Sequence, residues 1–514
     1  MFVAKSPRLF IFLLAWLTGL LVQSGDLGSD TSRRLQVAHS FWTNEPEVLK
    51  SDTGDFGIPG RGGTPHAWYG IGQSAVMVPA DVLATVVARR LPEAMHLRVR
   101  EVIVELIVFP LLAALGALLS FMIAVELGTT TRAALFCTLG FIFCTSFLPY
   151  TQINQENSLL FVTTTLGIYS GLRWLRTGGI GALATLSAAL GLGLTVRATA
   201  IVDFVAIGLF VLIVRMRSEA SSSTIRQHVL GLLLACAVGM LLGGGIDRIY
   251  HWVRFGSLTT NYIALYGEWA KARDATLPAS YPFSTPFWVG LSGALIKPDR
   301  SVLVFDPVLL SIPFIGLTIK SEPSNKARTL LVCSMGMLVA HAVFYARYYD
   351  WFGGACWGDR FCANDAALAS FVALVLAALN WPLLSAARRR LVCLTIAAAS
   401  LVQLVSVPLW YVVEEDQMAK SPGTAPQLVW RLMNLKSYIL GSLPAELNRI
   451  GMTAHSSRLN FLPFAASEHV PARVAQALLV VWLLGLFVWL TLMVGAFLAL
   501  RGKPSLGEQP ILEG

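Results

Sequence analysis

The chain has 514 residues, of which 55% are hydrophobic and only 13% charged, and its mean hydropathy is +0.64. That composition excludes an ordinary soluble domain and describes a polytopic membrane protein. The net charge of +9 and pI near 9.3 do not point to nucleic acid, because Lys and Arg stand in small groups between apolar runs, as the positive-inside rule places them. Of the seven Cys, Cys137, Cys144, Cys236, Cys333 and Cys393 lie inside apolar runs as small packing residues, and no metal-ligand spacing is present.

A helix needs about 20 apolar residues to cross the hydrocarbon. Runs at 8–24, 102–125, 133–150, 158–175, 179–196, 199–214, 229–247, 302–319, 329–348, 366–386, 391–411 and 475–499 predict twelve spans. Alternate connections then carry the basic residues: Lys5 and Arg8, Arg132, Arg173 and Arg176, Arg215, Arg217 and Arg226, Lys320, Lys326 and Arg328, Arg388 to Arg390, and Arg501 with Lys503. Both termini are thereby expected in the cytoplasm. Residues 71–88 are apolar enough for a further span, but Pro79 and Asp81 at their middle favour an amphipathic helix along the outer interface. The first run also has signal-peptide length, with Lys5 and Arg8 before it and Val22-Gln23-Ser24 after it; cleavage there leaves the remaining topology unchanged.

The segments expected outside are 25–101, 150–157, 249–301, 349–365 and 412–474. The chain accordingly divides into a transmembrane module over 1–411 and an outer loop with a last span over 412–514. Within that loop QLVWRLMNLKSYIL has apolar residues at helical spacing and predicts a helix lying on the membrane surface.

Asp26 and Asp30 follow the first span and precede Arg33 and Arg34. A carboxylate there suits general-base work and guanidinium groups suit an anionic leaving group, against the plain alternative of a solvated acidic loop. Gln155 and Glu156 stand at the outer start of a span, where a helix dipole also favours Glu. Lys297 and Arg300, at another outer mouth, suit a phosphate held between lipid and water, with snorkelling as the alternative. YARYYDWFGGACWGDRFCAND, residues 345–365, gathers Trp351, Trp357 and Arg360 with clustered glycines; the aromatic faces suit sugar or the membrane interface. Its Cys356 and Cys362 are thiols an oxidising periplasm would allow to pair. Arg197 and Asp203 lie in or beside apolar sequence, either as a structural pair or with Arg197 free for a lipid phosphate. Glu101 and Glu105 are open to either reading.

Taken together, these stretches resemble bacterial polytopic glycosyltransferases of the GT-C superfamily, relatives of the protein O-mannosyltransferases and the lipid A aminoarabinose transferases. The pattern places an Asp, often Asp-Glu, about eight residues before a small-x-Ser pair; Asp30 precedes Ala38-His39-Ser40, with Thr31 in place of Glu. Glu156 matches the acid of the second outer loop. Lys297-Pro298-Asp299-Arg300-Ser301 with Phe305-Asp306-Pro307 resembles a small-Pro-x-Arg-Gly pattern followed by aromatic-x-Pro. Trp351, Gly353, Gly354, Trp357, Gly358 and Arg360 match Trp-x-Gly-Gly-x-x-Trp-Gly-x-Arg.

The resemblance implies an all-α, GT-C-like membrane enzyme in a bacterial inner membrane, with its site on the extracytoplasmic face. It implies inverting transfer of a sugar from a polyprenyl-phosphate carrier to an acceptor. Asp30 would be the base, with Asp26 or Glu156 orienting acceptor or sugar. Arg300, Arg360, Lys297 and Arg197 would hold the lipid phosphate, and Trp351, Trp357 and Gln155 would meet sugar or acceptor. No nucleotide sugar is expected, since the sequence has no suitable cytoplasmic domain, no cofactor is defined, and isolated acids without His partners leave a divalent metal undetermined. Two alternatives stand beside the transferase reading: a transporter or flippase for lipid-linked sugars, and a non-catalytic binder of them.

Overall fold

The computed structural model describes residues 6–50, 52, 56–218, 222–319, 321–451 and 458–501; Lys5, Lys320 and Lys503 of the charge pattern lie outside them. The first helix, α1 (Pro7–Val22), is apolar, and the polar stretch after it is not a loop but a helix, α2 (Gly28–Ser40). A short antiparallel hairpin follows, β1 (Ile58–Pro59) with β2 (Pro65–His66). Next come α3 (Ile71–Ala88), α4 (His96–Glu126), α5 (Thr131–Cys144), α6 (Phe147–Ile153), α7 (Asn157–Thr177), α8 (Ile180–Val196), α9 (Ile201–Ser218) and α10 (Ser222–Phe255). The second half holds α11 (Tyr262–Arg273), α12 (Phe287–Leu295), α13 (Val302–Phe305), α14 (Glu322–Tyr345), α15 (Ala363–Asn380), α16 (Ala386–Leu404), α17 (Val412–Lys420), α18 (Gln427–Ile439), α19 (Leu443–Arg449), α20 (Leu462–Ala465) and α21 (Ala472–Arg501).

Among the described residues seven helices are long and apolar enough to cross a membrane: α3, α4, α9, α10, α14, α15 and α21; an eighth is added if α5 and α6, bent by 54°, form one span. Several of the twelve expected spans are therefore not of that kind. The helices α1 and α8 have only 16 and 17 residues. In α7, Asn, Ser, Thr and Arg dilute the apolar residues, and α16 opens on Arg388 to Arg390.

The expected span at 302–319 is no continuous helix. Pro307 and Pro313 break it into α13 and a 3₁₀ run, Pro307–Phe314. Even so, this segment follows α15 from end to end. At one end Ser146 joins the two, its backbone N–H donating to Asp306 (2.8 Å) and its hydroxyl to the Ala363 carbonyl (3.0 Å). At the other, Asn380 Nδ2 donates to the carbonyl of Ile315 (2.9 Å).

Residues 71–88 form a helix, as expected: α3 runs unbroken through Pro79 and Asp81 and has span-like length. Asp81 is buried and accepts from Arg100 Nε (2.8 Å) and Trp42 Nε1 (2.9 Å), with His39 Nδ1 at 2.7 Å, so α2, α3 and α4 are pinned through one carboxylate. The main apolar core lies where α4, α5, α7, α14 and α15 pack. The last helix, α21, is peripheral, tied to α1 by Trp482 and Trp489 indole donors to Leu21 O (2.9 Å) and Thr18 Oγ1 (2.8 Å).

The amphipathic helix expected in 412–474 is α18, but its polar side faces inward. Arg431 is wholly buried against Glu414 (2.6 Å), Trp430 is buried too, and Val429, Leu432, Met433, Ile439 and Leu440 are outermost.

Candidate functional site

Asp30 stands in the first turn of α2 and is 30% exposed. Its Oδ1 accepts from the Tyr69 hydroxyl at 2.8 Å and its Oδ2 from Arg360 Nη1 at 3.2 Å. The adjacent Thr31 donates its hydroxyl to the Asn154 carbonyl at 2.7 Å, fastening α2 to the joint between α6 and α7. Asn154 is in the left-handed conformation, φ +61°, so the chain reverses there and delivers Glu156 to the start of α7.

Glu156, 5% exposed, is the centre of an arginine cage. Its Oε2 lies 2.9 Å from Arg34 Nη2, its Oε1 3.5 Å from Arg360 Nη2, and Arg197 donates to the same Oε1. Three elements thus converge: α2 through Arg34, the α8–α9 joint through Arg197, and the 346–362 connection through Arg360. Arg34 also lies 4.0 Å from the centre of the Tyr69 ring, so Tyr69 touches both a base candidate and a cage arginine.

The two carboxylates differ in environment. For Glu156, burial would push the carboxyl up, but Arg34, Arg360 and Arg197 outweigh it and hold it well below its ordinary value. For Asp30, burial and the nearby Glu156 push up, while Arg360, Arg34 and the Tyr69 hydroxyl prevail and leave it lowered. Both are ionised at neutral pH, and Asp30 is the more accessible.

The clustered glycines at 353–358 serve the protein's own side chains. Gly353 and Gly358 have φ of +90° and +68°, and a Cβ on them would come within 2.8 Å of Arg360 Cβ and Phe305 Cγ respectively. The turn they permit folds back over Arg360 and holds it toward Asp30.

The remaining expected residues are placed as follows. Asp26 accepts from the Gly28 amide at 2.8 Å and so supports the start of α2. Gln155 is buried with its Oε1 unpartnered. Lys297 is exposed just beyond α12. Trp351 is half-buried, lying over Gly293 of α12, where a Cβ would meet its ring at 2.3 Å.

Two further expected residues are enclosed by the protein. Trp357 is 1% exposed, edge-to-face with Phe305 at 5.0 Å and capped by Arg431 at 5.1 Å, so its faces are taken by the core rather than open to a sugar. Arg300 is buried, donates to the Cys356 carbonyl at 2.8 Å and is paired with Glu415, so its charge is already met inside the protein. Asp203 pairs with Thr164 at 2.7 Å, while Arg197 is committed to Glu156; the alternative in which those two form a structural pair is not what is seen. Cys356 and Cys362 are both free thiols.

Sequence reasoning missed Tyr69, which lies in YGIG with no acidic or basic neighbour in sequence to mark it. It also gave Thr31 no role beyond a departure from pattern. Of Glu101 and Glu105, the first accepts from Ser32 at 2.5 Å and the second from Asn154 Nδ2 at 2.9 Å, so they brace α2 and the α6–α7 joint beside Asp30. Neither Asp26, Asp30 nor Glu156 belongs to a group of three metal-ligand side chains; among the described residues one such group exists, elsewhere, from Asp203, His341 and Asp365.

No protein-family model matches the sequence, and no curated protein matches it either. Among solved structures the chain is similar to the archaeal oligosaccharyltransferase AglB from Archaeoglobus fulgidus in complex with an inhibitory peptide and a dolichol-phosphate, with TM-score 0.47 and 13% identity over 86% of this chain. It is similar also to the Archaeoglobus fulgidus oligosaccharyltransferase in the apo form, with TM-score 0.43 and 14% identity over 85% of this chain. The chain spans 60% of the length of each.

Proposed function

We propose that this chain is a GT-C-like glycosyltransferase that takes a sugar from a polyprenyl-phosphate carrier and passes it, with inversion, to an acceptor at the extracytoplasmic face of a bacterial cytoplasmic membrane. The observation that carries this reading is the pairing of an accessible, ionised carboxylate, Asp30, with Arg360 at the edge of a cage of three arginines. A base and a cluster of fixed positive charge side by side are what a displacement with an anionic leaving group requires.

In that reaction Asp30 accepts the acceptor's proton as its oxygen or nitrogen bonds to the anomeric carbon. The bond from that carbon to the phosphate oxygen breaks, and its electron pair leaves with the lipid phosphate. Arg360, shared between Asp30 and Glu156, faces the growing charge, with Arg197 behind it and exposed Lys297 as an outer contact. Glu156 keeps the arginines from repelling one another, so its part is to position rather than to react. Tyr69 aims the Asp30 carboxylate, and the unpartnered Gln155 oxygen and half-buried Trp351 are contacts for sugar or acceptor.

The test is transfer of labelled sugar from a panel of polyprenyl-phosphate sugars by purified wild type and Asp30→Asn, with donor binding measured in parallel. Wild type should transfer, and Asp30→Asn should lose turnover by about 100-fold or more while binding donor, the scale of a lost general base. Unchanged turnover removes Asp30 from the mechanism. Donor binding without transfer by either protein, when acceptors from the cell envelope are supplied, together with flipping of the donor in liposomes, sinks the transferase reading in favour of a carrier.

A further inference from the structure

We infer that Asp203, His341 and Asp365 form a binding site for one divalent first-row metal ion, Zn²⁺ or Mn²⁺, where α9, α14 and α15 meet. One ligand atom from each side chain lies within 4.8 Å of the other two, and all three side chains are buried. The arrangement is separate from the Asp30 and Glu156 cluster and goes beyond the transfer reaction proposed above.

The hydrogen bonds around His341 set its orientation. Its Nε2 lies 3.2 Å from the Thr199 carbonyl, which can only accept, so Nε2 bears a hydrogen. Its Nδ1 stands 2.5 Å from Asp365 Oδ2. Nδ1 can share a proton with that carboxylate, and displacing the proton frees a lone pair on each of two neighbouring atoms for one metal ion. A histidine whose second nitrogen is fixed by a backbone carbonyl is a frequent metal ligand.

A shared proton would answer His341 and Asp365 but not Asp203. The Thr164 hydroxyl donates to Asp203 Oδ2 at 2.7 Å, while Oδ1 is buried without a partner. The nearby arginine, Arg197, is spent on Glu156. Two carboxylates and one imidazole at helix ends inside apolar sequence carry a charge that is costly in that setting. A divalent ion neutralises it and gives the orphaned oxygen a partner, and a mixed nitrogen and oxygen set suits zinc or manganese.

The site also bears on the cage. Thr199 lies two residues from Arg197, and its hydroxyl is 3.2 Å from that of Tyr345. The Tyr345 ring stacks on Phe361 at 3.8 Å, next in sequence to Arg360. An ion joining α9, α14 and α15 would thus fix the footing of both arginines.

The experiment uses the full-length protein in detergent, stripped with chelator and dialysed against Zn²⁺ or Mn²⁺, with bound metal measured by mass spectrometry. Wild type and Asp30→Asn should each retain one ion per chain. Asp203→Asn and His341→Gln should bind more weakly by over the roughly 100-fold that even an outer-shell loss can cost. In case those variants fail to fold, X-ray absorption on metal-loaded wild type should show an imidazole nitrogen and oxygens without sulfur. No ion in wild type, sulfur in the shell, or undiminished binding in both variants overturns the proposal.

Discussion

Asp30 and Glu156 share Arg360, yet burial divides their work: one keeps an open face, while the other is enclosed by its counter-ions. Both carboxyls were legible in the sequence as acids placed at outer connections. Their division of labour was not, because it depends on Arg34 and Arg197 arriving from helices far apart in the chain. Asp359, next to Arg360, behaves oppositely. Burial pushes its carboxyl up to about 7, although the amides of Phe361 and Cys362 donate to it at 2.9 and 3.1 Å. The folded state therefore binds a proton that the unfolded chain releases, and stability is gained as pH falls from about 7 toward the ordinary Asp range. Glu156, held low, keeps its contribution throughout that window and loses it only as pH falls below the ordinary Glu range. Melting temperature in detergent should rise between pH 8 and pH 5 by an amount that Asp359→Asn reduces.

The helix α18 shows what periodicity reads and what it leaves out. Its stripe of apolar residues at helical spacing fixes both its existence and its two faces, and the helix is where the pattern puts it. Periodicity does not say which face is inside. Here the inward face is Gln427, Trp430, Arg431 and Asn434, because Glu414 of α17 waits for Arg431 and three backbone carbonyls around 405–409 accept its other donors. Ile439, at 80% exposure, is among the residues left on the outer face. Arg431→Ala strands the Glu414 charge and should cost about 3–5 kcal/mol in a denaturation assay. Replacing the pair together, Arg431→Met with Glu414→Leu, should recover most of that loss, since no buried charge then remains unpaired.

For the whole molecule, hydropathy found the long helices but cut α10 short at both ends and began α4 and α14 late, and it counted spans by apolar length alone. It misread 302–319, where two prolines prevent a continuous helix. The basic residues Arg176 and Arg217 contact Glu126 and Thr329, at the ends of α4 and α14 remote from the arginine cage, and the alternation read from the sequence predicts that these ends and the cage lie on opposite membrane faces. Single cysteines test it: on a Cys393→Ser background, which removes the exposed native thiol, Thr64→Cys should label from outside and Arg388→Cys only from inside. Labelling of both from one side would break the alternation.

The 3₁₀ run along α15 sets an order of events during synthesis. The carbonyls of Phe305, Ile315 and Gly316 are answered by Gln403 and Asn380, side chains made 98, 65 and 64 residues later. Backbone of this kind is tolerated at membrane depth only when protein surrounds it. The segment is therefore expected to stay unsettled, in water or at the insertion machinery, until α15 and α16 emerge. A nascent chain stopped after residue 345 should leave 302–319 open to protease, whereas one carried past residue 404 should protect it.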